Sequence, residues 1–182
     1  MTRGARASVV GLLDLPLYTI QALGFDAIGA GHLVACSQAG GAVSRLVLGA
    51  ASDRWLADRR AVWLGLTGGI GACSFAAYAV WLVSAPLAAG VLAFATGIGA
   101  YGWVGIFFVI SAELGGSRMA GLLSGMAFAS IAIGLLVGPA TFGLLLVRWD
   151  SYAAPWAAFA ALSAVAACAT LVISSAIERE RR

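Results

Sequence analysis

Lysine is missing altogether: all eleven basic residues are arginine. Charge of either sign is scarce, at 10% of the chain against about 25% in an ordinary soluble domain. Histidine occurs once, at His32, and the three cysteines, Cys36, Cys73 and Cys168, stand isolated inside apolar stretches. With no Cys-x-x-Cys pair and no Cys/His cluster, the chain offers no disulfide framework and no ligand set for a metal, and no cofactor is expected. Nucleic-acid binding draws on lysine as well as arginine, and here the arginines fall between apolar runs, so that partner is not expected either. Enzyme chemistry fares no better. An intramembrane serine protease needs a histidine base within reach of its nucleophile. His32 and the best-placed serine, Ser124, are expected at opposite faces of a bilayer core about 30 Å thick.

What the chain has instead is apolar length. Hydrophobic residues make up 62% of it, more than a soluble fold of this size can hide from water. Lipid is the expected solvent. A bilayer core needs roughly 20 apolar residues per helix. Five runs meet that length, at about 28–51, 61–84, 87–112, 119–147 and 153–177, and a shorter sixth at about 7–23 carries Asp14 and Pro16. The expected fold is therefore all-α and integral to the membrane, a single domain of about six transmembrane helices. Connections are short, so consecutive helices are expected to be antiparallel neighbours.

Arginine placement gives the orientation. With the N-terminus in the cytoplasm, Arg3, Arg6, Arg54, Arg59, Arg60, Arg118, Arg179, Arg181 and Arg182 fall inside, and Arg148 alone falls outside. This positive-inside bias places both termini in the cytoplasm of a multi-pass protein of a bacterial inner membrane. Trp81, Trp149 and Trp156 are expected at the outer interface, with Trp55 and Trp63 at the inner one.

Glycine is abundant inside the runs. Gly40-Gly41-Ser44, Gly68-Gly69-Ala72, Gly121-xxx-Gly125 and Gly134-xxx-Gly138 each set small residues about a turn apart. In lipid, helices associate through such close backbone approach, because apolar side chains gain little by leaving the acyl chains. Pro139 and Pro16 are expected to kink their helices and free backbone carbonyls.

The most specific stretch runs from Gly49 through Ser52, Asp53, Arg54 and Asp58 to Arg59 and Arg60, between the runs at 28–51 and 61–84. A small residue at Gly49 admits a neighbouring helix. Asp53 supplies a carboxylate at a helix junction, and the arginines hold the loop at the headgroups. The stretch resembles the cytoplasmic loop signature of the major facilitator superfamily, G-x-x-x-D-R-x-G-R-R, without the glycine after Arg54 and with a longer loop, Trp55 to Asp58, before Arg59. The resemblance continues through Leu15-Pro16-Leu17-Tyr18 and Gln21 to Phe25, Gly40 to Arg45, Gly102-Trp103 through Glu113, Arg118 to Gly125, and Gly138-Pro139 to Gly143. These follow the family's order over nearly the whole chain. The resemblance implies the C-terminal six-helix half of a secondary carrier, two inverted three-helix repeats, lacking the inner part of its first helix. It also implies that Gly49, Asp53, Arg54, Arg59 and Arg60 form a charge network that latches the cytoplasmic gate. A half of this kind needs an N-terminal six-helix half, or a second copy, to complete a pathway.

Arg45 is the sharpest single residue. It lies six residues before Ala51, about 9 Å into the hydrocarbon by helical rise, where a cation is costly without water or a partner. Two readings stand: a cavity-lining cation for an anionic solute, or an ion pair with Glu113 or Asp53. Gln21, Gln38, Tyr101, Trp103 and Ser130 are further candidates for a solute cavity. Asp14 is a candidate proton carrier, its pKa raised by desolvation, which would make transport proton-coupled. The expected function is transport of a small solute, with an organic anion favoured by Arg45. The alternative is a membrane scaffold, or a remnant of a transporter, that carries nothing.

Overall fold

In a computed structural model, which describes residues 18–20, 23–55, 60–80 and 85–180, the described residues are helical apart from short connections and include no strand. Five helices follow one another: α1 (Ala27–Trp55), α2 (Arg60–Val80), α3 (Pro86–Tyr101), α4 (Trp103–Trp149) and α5 (Ala153–Glu180). Their ends have local causes. The Gly29 amide donates to Asp26 Oδ1 at 2.8 Å, so Asp26 satisfies one of the free donors at the start of α1. Pro86 opens α3 where its missing N–H costs nothing. Gly116 (φ 55°, ψ −168°) breaks α4 in a conformation open essentially to glycine alone. Asp150 closes α4 in the left-handed region at φ 49°.

Five stretches are long and apolar enough to cross a membrane: Ala27–Ala51, Val62–Val80, Pro86–Glu113, Arg118–Trp149 and Ala153–Ser175. They match the five long runs of the sequence to within a few residues. The shorter run at 7–23 is described only at 18–20, which is helical, and at Leu23; its remainder lies outside the described residues.

The expectation that consecutive helices are close neighbours is not met throughout. α1 touches α2 little; its main partner is α3, and the main partner of α2 is α5. Facing residues advance together along α1 and α3 (Ser37 with Gly97, Ser44 with Gly102), so these two run parallel. Along α2 and α5 they advance in opposite senses (Gly65 with Leu171, Gly68 with Ala167, Tyr78 with Trp156), so this pair is antiparallel. The cause is glycine placement. Small residues on α1 match those on α3, and backbone contact there outweighs sequence adjacency.

Where α2 ends and α5 begins, rings fill the space. Tyr18, Tyr78, Phe142 and Trp156 are buried together, with Phe75, Tyr152 and Phe159 around them. Tyr18 and Phe142 meet Trp156 edge-on, and Phe75 stacks on it at 5.7 Å. The Tyr18 hydroxyl donates to the Tyr78 carbonyl at 3.3 Å, tying residue 18 to the end of α2. Trp156, expected as an interfacial anchor, is thus a core residue with 5% of its surface exposed. Trp149, by contrast, is exposed. Beyond Arg118, α4 presents Leu122, Phe128, Ile133, Leu136 and Leu144 outward, a surface that suits lipid or another helix rather than water.

Candidate functional site

The α1–α3 seam puts the candidate residues in place. A side chain at Gly41 would start 2.9 Å from Tyr101 Cβ, and one at Gly102 would start 2.7 Å from Ser44 Oγ. Such contacts leave no room for anything but hydrogen. They bring the C-terminal half of α1 within reach of the α3–α4 junction, where Arg45 lies alongside Tyr101. Its Nε donates to the Tyr101 carbonyl at 3.2 Å, and its Cζ stands 5.7 Å from the centroid of the Tyr101 ring. Both interactions give the guanidinium a partner on α3.

The Tyr101 carbonyl is able to accept because the helix is interrupted there. α3 ends at Tyr101 and α4 begins at Trp103, and Gly102 between them donates to the Ile98 carbonyl at 2.9 Å. The bond that a regular helix would place between the Gly105 amide and the Tyr101 carbonyl is missing from this pattern. Side chains take over the junction. Arg45 holds the Tyr101 carbonyl, and the Trp103 indole donates to the Ala100 carbonyl at 2.9 Å.

Arg45, Tyr101 and Trp103, picked separately from the sequence, therefore share one junction. Gln38 lies two turns before Arg45 on α1, on the same side of the helix, and both residues are exposed. The Nε bond engages one of the five guanidinium donors. The paired terminal nitrogens are those whose geometry suits a carboxylate or phosphate. Ser130 sits on α4 beyond the Gly116 break, and its hydroxyl is taken up by the Met126 carbonyl of its own helix at 2.9 Å. Glu113 is exposed just before that break. Gln21 and Asp14 lie outside the described residues.

The loop signature is placed in part. Gly49 and Asp53 fall in the last two turns of α1, Arg54 is exposed at its end, and Arg60 opens α2, while Arg59 lies outside the described residues. A side chain at Gly49 would meet nothing within 4 Å, so among the described residues no helix approaches closely at that glycine. The same is true of Gly121, Gly125 and Gly134, whereas Gly40, Gly97, Gly99 and Gly68 all press on neighbouring helices. Gly121 and Gly125, one turn apart, thus present a small-residue face with no helix of the described residues upon it.

Comparison with known proteins adds no relative: no protein-family model, no curated protein and no solved structure matches this chain. Geometry and the sequence resemblance carry the functional reading.

Two features of the site were not foreseen: the interruption at Gly102 and the Arg45–Tyr101 carbonyl bond. The sequence signal for the first was the cluster Gly97, Gly99, Gly102 and Gly105, which lowers helix propensity over three turns.

Proposed function

We propose that the chain is a multi-pass inner-membrane protein, with both termini cytoplasmic, that forms one six-helix half of a major facilitator superfamily carrier for a small organic anion. The observation that carries the reading is Arg45: a cation about 9 Å inside a membrane-crossing helix, exposed, and steadied by the carbonyl and ring of Tyr101. A guanidinium kept charged at that depth is suited to a carboxylate that has left water. The stretch from Gly49 to Arg60, running from the last turns of α1 to the start of α2, supports a gate latch built on Asp53, Arg54, Arg59 and Arg60. The bare glycine face of α4 supports a second six-helix half, or a second copy, as the structure that completes the pathway. Asp14 is the proposed proton carrier.

One observation favours the scaffold reading: the Arg45 guanidinium already has the Tyr101 carbonyl and ring, which is enough for a purely structural cation. Reconstitution separates the two. A panel of short mono-, di- and tricarboxylates is offered to proteoliposomes holding the wild-type chain or Arg45→Ala. Saturable uptake or protection against thermal unfolding by one of them, lost in Arg45→Ala while the fold is kept, is the expected result. Equal responses from both proteins across the panel contradict the carrier.

A further inference from the structure

We propose that the Tyr101 carbonyl is a switchable acceptor, held out of the helix ladder by Arg45 and reclaimed by the Gly105 amide when Arg45 lets go, so that Gly102 is a hinge set by a side chain on another helix. The inference goes beyond the carrier reading and needs no solute.

Four observations converge on it. The Gly105-to-Tyr101 bond is missing at the junction, as is the Trp103-to-Gly99 bond, although Gly102 itself keeps helical dihedrals (φ −65°, ψ −31°). The two donors that compete for this carbonyl are therefore both local to the site: Arg45 Nε, which has it, and the Gly105 amide, which a small rotation brings to it. The hinge residues have no side chains to resist that rotation, since Gly102 and Gly105 are both glycine, and a methyl at Gly105 would meet open space. The rest of the junction is steadied independently of Arg45, because the Trp103 indole holds the Ala100 carbonyl. Finally, Arg45 and its carbonyl partner sit on two parallel helices joined by backbone contact at Ser37, Gly40, Gly41 and Ser44. A change in what Arg45 binds is thus transmitted to the continuous span Pro86–Glu113 without any change in the seam. In a segment that crosses a membrane a carbonyl needs a donor, so one of the two takes it. That makes the junction two-state rather than loose.

The test uses the whole chain in nanodiscs. Tyr101-Gly102 is the only Tyr-Gly pair in the sequence, so ¹³C-carbonyl tyrosine combined with ¹⁵N-glycine reports this one carbonyl. Arg45→Ala is expected to move that carbon signal and to slow hydrogen exchange of the Gly105 amide by about tenfold, the mark of a helical bond gained. Gly105→Ala is expected to move the carbon signal the same way, because alanine favours the regular helix; this variant leaves Arg45 and the α1–α3 seam untouched and so serves if Arg45→Ala does not fold. A carbon signal and residue-105 exchange unchanged from wild type in either folded variant overturn the proposal. The result is separable from the carrier reading: a hinge that responds in these variants while no carboxylate is taken up leaves the switch standing and removes the transport.

Discussion

Gly99 of α3 lies on Gly71 of α2 backbone against backbone: a side chain placed at Gly99 would overlap the Gly71 main chain, and one at Gly71 would just touch the Gly99 Cα at 3.4 Å. The contact is asymmetric, so the two glycines answer differently to substitution. Gly99→Ala forces α2 and α3 apart and is expected to cost about 1–3 kcal/mol, as overpacking does. Gly71→Ala is expected to cost less. Gly121→Ala and Gly125→Ala, whose methyls meet open space within the chain, are expected to stay within about 0.5 kcal/mol. Unfolding of the four variants in mild detergent checks the order, and equal losses at Gly99 and Gly121 contradict it.

The aromatic cluster carries a second prediction. Among the described residues the buried Trp156 indole N–H has no hydrogen-bond partner, so its ring is expected to matter more than its donor. Trp156→Ala is expected to lose about 3–5 kcal/mol through cavity formation. Trp156→Phe keeps an aromatic ring, removes an unsatisfied donor, and is expected to lose less than about 1.5 kcal/mol. Tyr18→Phe gives up the bond to the Tyr78 carbonyl and is expected to lose about 1 kcal/mol. Thermal unfolding followed by tryptophan fluorescence of the other five tryptophans, or by circular dichroism, reads all three.

The break in α4 gives a third. Gly116 holds φ 55° with ψ −168°, and Asp150 holds φ 49° with ψ 32°. Only glycine is comfortable in the first conformation, while asparagine and aspartate accept the second. Gly116→Ala is therefore expected to cost about 1–3 kcal/mol, and Asp150→Asn almost nothing. A Gly116→Ala protein as stable as wild type contradicts the conformation assigned to the turn.

Much of this arrangement was legible in the sequence because long apolar runs favour long helices. Apolar length located all five long runs, and polar breaks such as Glu113 to Arg118 located the turns. Partner choice was less legible. Chain order favours α1 beside α2, and only the match of Ser37, Gly41 and Ser44 to Gly97, Tyr101 and Gly102 makes α3 its partner. Periodicity along one helix carries no such pairing. Arg45 stood out as a cation at depth, and carboxylates were the natural partners to expect for it. A backbone carbonyl is invisible to that reasoning, since every residue has one and only a helix interruption makes it available. Trp156 misled for a related reason: tryptophan near a span end fits an interfacial belt, and nothing local told it from a core ring until Tyr18, Tyr78 and Phe142 converged on it.

The account stands on these helices crossing a bilayer with their arginine-rich turns inside. In a chain with Cys36, Cys73 and Cys168 replaced by alanine, single cysteines at Ser151 and at Ser117 are exposed to a membrane-impermeant maleimide on intact cells. Labelling of residue 151 from outside, with residue 117 reached only after permeabilisation, is the predicted result; labelling of residue 117 on intact cells contradicts it.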